Sequence, residues 1–83
     1  MKTISHHNFN VTLTPRELEI VKLIAFEYST KEIASILYIG SETVKTHRKN
    51  IQLKLDVKNV AGIVRVAFQK NILALNERLV LAS

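Results

Sequence analysis

The sequence contains no cysteine, which excludes a disulfide framework, a thiolate metal site and a thiol nucleophile. It holds only two glycines and one proline, and this excludes a loop-rich, low-complexity or collagen-like chain. No apolar run approaches the roughly 18–20 residues of a membrane span, and the N-terminus lacks the apolar stretch of a signal peptide. Because a reducing compartment favours chains without cysteine, we expect a cytoplasmic protein with no membrane partner.

The length and composition indicate one small domain. The chain has 83 residues, of which 47% are hydrophobic, an ordinary fraction for a globular protein. A domain of this size buries only roughly 60–65% of the surface of its unfolded chain, so its core must be thin.

The positive charge is concentrated in the second half of the chain. Twelve Lys and Arg residues oppose seven Asp and Glu, which gives a net charge of +5. The excess is densest over residues 41–60, which hold five basic residues and two acidic ones. A basic stripe on one element is typical of a protein that binds a polyanion, although a solvated helix face would have the same composition.

The first helix has a strong start signal. Thr14 is suited to cap it, Pro15 fits the first helical position, and Glu17 stands at the spacing of a capping box. Leu13, before the cap, can form half of a hydrophobic staple. Apolar residues then recur at helical spacing, so the pattern predicts a helix from Pro15 to about Phe26.

The next segment predicts a helix-turn-helix. Ser29 and Glu32 form a second capping box, and the apolar spacing after it predicts a short helix from about Thr30 to Leu37. We expect Gly40 to permit the backbone turn that follows, with Ile39 buried inside it. A short helix, a turn of three or four residues with Gly and a third helix are typical of this motif.

The third helix, predicted from about Ser41 to Leu55, is apolar on one side and polar on the other. At about 100° per residue, Val44, Ile51 and Leu55 share one side, and Glu42, Lys45, Thr46 and Lys49 share the opposite side. Leu53 falls further along the polar side. At 1.5 Å per residue the helix is roughly 21 Å long, enough to lie in a DNA major groove.

The pattern after the third helix predicts structure less clearly. Asn59 is a plausible cap for a fourth helix, but the run 60–68 is apolar at nearly every position, and a buried strand remains an alternative. A helix that is apolar on nearly all sides needs a second cover, which in so small a domain favours another chain. Asn71 is suited to end this helix in a left-handed turn. The spacing over 72–82 also fits an additional docking helix.

Three motifs in one uninterrupted order resemble the LuxR/NarL/FixJ family of DNA-binding domains. They are Leu13-Thr14-Pro15-Arg16-Glu17-Leu18-Glu19, Lys31-Glu32-Ile33-Ala34 and Thr43-Val44-Lys45-Thr46-His47-Arg48. The resemblance implies an all-α, four-helix helix-turn-helix domain over residues 13–73. A flexible tail (1–12) would precede it and a C-terminal extension (74–83) would follow.

The resemblance implies which residues contact DNA. Lys45, Thr46 and Lys49 match the positions that the family directs at base edges. A lysine ammonium suits guanine O6 and N7, and the methyl group of Thr46 suits the thymine methyl. Candidates for phosphate contact are Lys31, Thr43, Arg48, Lys54, Lys58 and Asn59. Such contacts position the protein and add affinity without sequence choice.

The chain departs from the family at three turns. Glu27 and Asp56 stand where the family usually has Gly, and Gly40 stands where the family has a Ser cap, with Ser41 as a substitute cap. If the backbone at Glu27 is left-handed, it carries a strain of about 1 kcal/mol.

The fourth helix implies a dimer. Ala61, Val64, Arg65 and Phe68 are the expected interface residues, and a homodimer predicts an operator with two-fold symmetry. We expect no cofactor, metal site or small-molecule substrate, because two histidines in the tail are too few ligands for a metal. No nucleophile–base pair and no glycine-rich loop after a strand is visible, so we expect no enzyme.

The combined prediction is a transcriptional regulator that binds duplex DNA sequence-specifically in the bacterial cytoplasm, at the nucleoid, with RNA polymerase as a further candidate partner. No receiver or ligand-binding domain fits in 83 residues, so the chain would be a free-standing effector or the output domain of a two-component response regulator. Two alternatives stay open. One is a sigma-factor region 4, which shares the helix-turn-helix, and the other is a protein-interaction module that uses the fourth helix and the tail.

Overall fold

The structure, a computed structural model, describes residues 12–72 of the chain. This part folds into four helices: α1 (Pro15–Ala25), α2 (Thr30–Leu37), α3 (Ser41–Leu55) and α4 (Val60–Gln69). It contains no strand, so the all-α prediction is confirmed and the strand alternative for 60–68 is wrong. None of the four helices is long and apolar enough to cross a bilayer.

Several predictions lie outside the part of the chain that is described. The tail, apart from residue 12, and the C-terminal extension (74–83) belong to this group. The docking helix expected over 72–82 is also outside it, apart from its first residue. The domain bounds at 13 and 73 therefore remain predictions.

Three of the helices begin at the caps that the sequence predicts. In α1 the Glu17 amide donates to Thr14 Oγ1 (3.1 Å) and the Thr14 amide donates to Glu17 Oε1 (2.8 Å), a complete capping box. Ser29 and Glu32 repeat this arrangement in α2 with the same two distances. Asn59 Oδ1 accepts from the Gly62 amide (3.0 Å) and caps α4. These bonds satisfy amides that a helix leaves unpaired at its start.

The start of α3 differs from the prediction. Its N-cap residue is Gly40, which has no side chain to accept a hydrogen bond, and Ser41 is the first helical residue. The expectation that Ser41 caps α3 is therefore wrong, because its position inside the helix directs its side chain away from the first amides. Gly40 has φ of −75°, an ordinary value for any residue, so the turn does not depend on a left-handed glycine.

Each helix ends at or just before a single left-handed residue that is not glycine. These residues are Glu27 (φ 67°), Tyr38 (φ 58°), Asp56 (φ 56°) and Asn71 (φ 57°). The amide after each of them donates to a carbonyl five residues back, as in a Schellman motif: Tyr28 to Leu23, Ile39 to Ala34, Val57 to Gln52 and Ile72 to Ala67. The left-handed end predicted at Asn71 is confirmed, and Glu27, where a family glycine is replaced, is left-handed as well.

Helix α3 is the centre of the core and packs against the three other helices. Its apolar side, predicted to be Val44, Ile51 and Leu55, is at most 1% exposed. Ile20, Val21, Ile33 and Ile63 of the neighbouring helices are buried to the same degree. Since burial of such a side chain stabilises a fold by roughly 1.5–3 kcal/mol, this cluster fixes α3 and leaves its opposite side in solvent. Ile39, expected to be buried in the turn, is half-buried against this core.

The loop between α3 and α4 lies directly on α4. A Cβ atom at Gly62 would stand only 2.7 Å from Val57 Cβ, closer than carbon atoms pack. Gly62 is thus required by this close approach, although its φ is ordinary for a helix. The apolar run alone gave no signal for this role.

Candidate nucleic-acid interface

The three predicted base-contacting residues, Lys45, Thr46 and Lys49, are exposed on one side of α3. Val44 and Ile51, on the other side, are completely buried. The helix therefore presents a short polar and basic face to solvent, held in place by its own apolar face.

The contacts on this face are local and weak. Lys45 Nζ donates to Glu42 Oε2 (3.2 Å), and both side chains are more than half exposed. Thr46 Oγ1 donates to the Glu42 carbonyl (3.1 Å), which leaves its methyl group unengaged. Lys49 makes no hydrogen bond or ion pair with any described residue. Because exposed ion pairs contribute only about 0–1 kcal/mol, a ligand with acceptor groups can compete for Lys45 at little cost.

Two of the phosphate candidates lie near the start of α2. Lys31 is exposed and has no partner among the described residues. Arg48, on α3, is half-buried, and its Nη1 donates to Thr30 Oγ1 in the first turn of α2. Arg48 therefore ties the two helices of the helix-turn-helix together while its remaining N–H groups stay available.

Lys54, a third phosphate candidate, has a partner that the sequence did not suggest. Its Nζ donates to Glu17 Oε1 at 2.8 Å, and the two side chains are 38% and 6% exposed. The Glu17 carboxylate thus accepts from Lys54 and from the Thr14 amide, which joins the start of α1 to the end of α3. The capping-box spacing identified Glu17 only as a helix cap.

The surroundings of Glu17 favour its ionised form. Burial by itself raises the pKa of Glu17, because it penalises the charged carboxylate. The hydrogen bonds from Lys54 and Thr14, together with the charge of Lys54, outweigh this effect and hold the pKa of Glu17 below its ordinary value of 4.5. The ion pair is therefore present at neutral pH.

The other phosphate candidates are exposed at the two ends of α3. Thr43 lies in its first turn, and Lys58 lies in the loop after it with no partner among the described residues. The side-chain oxygen of Asn59 is used to cap α4, which leaves its NH₂ group free to donate. Thr43 and Arg48 thus lie on α3 itself, and Lys58 and Asn59 lie in the loop that follows it.

The family model for "Bacterial regulatory proteins, luxR family" matches residues 11–67, which is more than half of the chain. The chain belongs to the luxR family. Its helix-turn-helix is therefore that of a DNA-binding transcriptional regulator, as the resemblance of the sequence motifs implied.

Regulators of two kinds are similar to this luxR-family chain. The transcriptional regulatory protein MctR of Rhizobium johnstonii is 47% identical over 62 residues, which cover 75% of this chain and 29% of MctR. The response regulator protein VraR of Staphylococcus aureus is 51% identical over 61 residues, covering 74% of this chain and 29% of VraR. VraR of Staphylococcus epidermidis has the same identity and coverage. The chain thus spans less than a third of the length of these relatives.

The predicted dimer residues of the luxR-family domain form one side of α4. Ala61 and Arg65 are exposed, while Val64 and Phe68 are half-buried against the core. Arg65 Nη1 donates to Gln69 Oε1 (3.1 Å), along the surface of the helix. The opposite side of α4, with Ile63, Val66 and Ala67, is the one buried in the core.

The described part of the luxR-family chain holds no cluster of three or more His, Cys, Asp or Glu residues suited to a metal ion. His47 is half-buried beside the apolar side of α3. His6 and His7 lie outside the described residues.

Proposed function

We propose that this chain recognises a specific duplex DNA sequence by placing α3 in the major groove. The observation that carries the proposal is the division of α3 into two faces. One face is completely buried, and the opposite face exposes Lys45, Thr46 and Lys49 with only local contacts. A helix anchored in this way presents its polar face at a fixed orientation, which is what reading base edges requires.

The chemistry of these three side chains suits the major groove. A lysine ammonium donates to guanine O6 and N7, so Lys45 and Lys49 favour G·C pairs. The methyl group of Thr46 favours apolar contact with a thymine methyl. Each good base contact discriminates against the wrong base by roughly 1–3 kcal/mol.

The phosphate contacts would come from α3 itself and from the elements that flank it in the chain. Lys31 and Arg48 serve one strand near the start of α2, and Lys58 and Asn59 serve the backbone near the start of α4. Thr43 adds a hydroxyl at the front of α3. The Lys54 ammonium has further N–H groups besides the one that donates to Glu17, so it can contact a phosphate without breaking that hydrogen bond.

The chain would act as the effector of a transcriptional regulator, either free-standing or as the output part of a longer two-component response regulator. The names of MctR and VraR, a transcriptional regulatory protein and a response regulator, support this proposal. It places the protein at the bacterial nucleoid, in the cytoplasm, with RNA polymerase as a further partner.

On DNA the chain would act as a homodimer. The side of α4 formed by Ala61, Val64, Arg65 and Phe68 combines exposed and half-buried apolar groups with one arginine. A single small module buries only about 600–1,000 Å² on DNA, and a dimer doubles this area. The proposal predicts two half-sites related by two-fold symmetry.

The test of the proposal removes both lysines from the outer face of α3. Lys45→Ala together with Lys49→Ala should weaken binding to DNA sites enriched from random duplexes by at least tenfold, and should reduce the salt dependence of binding. Arg16→Ala is the control, because it removes a positive charge paired with Glu19 on the surface of α1. Fluorescence anisotropy at several salt concentrations measures both quantities.

Two outcomes would contradict the proposal. Unchanged affinity and salt slope in the double variant would exclude α3 as the reading helix. Absence of any enriched sequence at physiological salt would instead support the protein-interaction module as the function of this domain.

A further inference from the structure

Leu53 is an apolar side chain on the polar face of α3. It is 70% exposed, more than any other aliphatic side chain among the large hydrophobic residues of the described part. Glu42, Thr46, Lys49 and Leu53 follow one another at i, i+4, i+7 and i+11, a spacing that forms a straight row along a helix. The row that carries Thr46 and Lys49 therefore continues for one more turn and ends in a leucine.

Nothing in the fold of residues 12–72 accounts for this leucine. Val44, Ile51 and Leu55 already fill the core side of α3, and Leu53 is not part of the core or packed against it. Lys49, one turn before Leu53, makes no hydrogen bond or ion pair with the described residues. No such contact of Lys49 therefore holds this face of α3 against a neighbouring helix. A ligand that covers Lys49 from outside would also cover Leu53.

We propose that Leu53 reads the methyl group of a thymine in the major groove. This inference rests on the proposed function, since it needs α3 to lie in that groove. The 5-methyl group of thymine is the apolar group that base edges display there. Leu53 stands about 10 Å from Thr46 along the helix axis, which corresponds to about three base-pair steps. Thr46 and Leu53 would thus read two thymines separated by about three base pairs.

The experiment compares thymine with uracil, which lacks only the methyl group. Duplexes enriched from random DNA by the wild-type chain are remade with single dT→dU changes. At the thymine that Leu53 contacts, the wild-type chain should bind the dU duplex about fourfold more weakly than the dT duplex, which is the effect of losing one buried methyl group. Leu53→Ala should bind the dT and dU duplexes equally at that position and keep its discrimination elsewhere.

Two control variants accompany this comparison. Ile36→Ala shortens an exposed aliphatic residue of α2, outside the row, and should keep the wild-type discrimination at every thymine. Thr46→Ser removes only a methyl group and should abolish discrimination at a second thymine, about three base pairs away. Circular dichroism and urea unfolding test whether Leu53→Ala folds like the wild type, which is the expected result for an exposed side chain.

The outcomes separate this inference from the proposed function. If Leu53→Ala retains the wild-type discrimination at every thymine, the inference is overturned while the role of α3 stands. A change in oligomeric state with unchanged discrimination would assign Leu53 to a protein contact and overturn it as well. If the wild-type chain enriches no sequence, the proposed function itself fails.

Discussion

The Glu17 carboxylate connects two points that are 37 residues apart in the chain. It closes the capping box of α1 and accepts from Lys54 near the end of α3. The local half of this role could be predicted, because a capping box depends on residues three apart. The partner on α3 could not, because it depends on how the two helices pack.

Replacing Glu17 with Gln should lower the free energy of unfolding by about 1–2 kcal/mol at pH 7, since the bond to Lys54 loses its charge. The folded state lowers the pKa of Glu17, so the carboxylate stabilises the fold above its ordinary value of 4.5. This stabilisation is lost as the pH falls through the pKa of the folded state, where both proteins carry a neutral group. Urea unfolding at pH 7 and at successively lower pH values measures how the difference between Glu17→Gln and wild type shrinks.

Glu32→Gln is the matched control for this variant. Glu32 closes an equivalent capping box in α2, but its side chain is exposed and has no bond to a lysine like that of Glu17 among residues 12–72. Its substitution should cost less than that of Glu17. Equal costs for the two variants would show that the bond to Lys54 contributes nothing to stability.

Helix starts and helix ends differed in how well the sequence predicted them. The starts follow from side-chain oxygens at fixed spacing, and the caps at Thr14, Ser29 and Asn59 were predicted correctly. The turn after α2 differs from the prediction, because the sequence pattern favours Gly40 as the turn residue while the left-handed residue is Tyr38. Packing of the residue that follows, Ile39, against the core outweighs the small preference for glycine.

Gly62→Ala tests the close approach between α4 and the loop before it. In an ordinary helix this change stabilises by up to about 1 kcal/mol. Here the new Cβ would meet Val57 Cβ at 2.7 Å, so we expect a loss of about 1–3 kcal/mol in the free energy of unfolding. Chemical denaturation of the variant measures this loss.

Gly40→Ala controls for the change of residue type. The nearest atom to a Cβ there is Thr43 Oγ1, at 3.9 Å, so the change adds no overlap. It should cost no more than the poorer capping preference of alanine, below about 1 kcal/mol. A Gly62→Ala variant more stable than the wild type would contradict the prediction, because it would show that Val57 and its loop move away from the added methyl group at little cost.

In the whole molecule, the core and the candidate interface share one helix. The sequence predicted this arrangement well, because a helical wheel separates the apolar and basic sides of α3 without knowledge of the neighbours. It did not predict what the charged groups contact. The Arg48 bond to Thr30 and the Lys54 bond to Glu17 are tertiary contacts, and each engages a side chain expected to be free for phosphate.

The salt dependence of DNA binding should distinguish charged side chains that contact phosphate from those that do not. Each phosphate contact adds about 0.9 to the slope of log K against log salt concentration. Lys31→Ala should reduce the slope by about 1 and weaken binding to all duplexes by a similar factor, because Lys31 is exposed and unpaired among the described residues. Arg16→Ala should leave the slope unchanged. A Lys31→Ala variant with the wild-type slope would exclude Lys31 from the interface.

The four left-handed helix ends influence the stability of the protein at positions that lie apart from its proposed DNA contacts. Each position has a side chain where glycine would relieve backbone strain of up to about 1 kcal/mol, offset in part by the greater freedom of glycine in the unfolded chain. None of these positions is among the proposed DNA contacts. Heat tolerance can therefore change by substitution at Glu27, Tyr38, Asp56 and Asn71 while the operator preference stays the same, so adaptation to temperature and to promoter sequence can proceed independently.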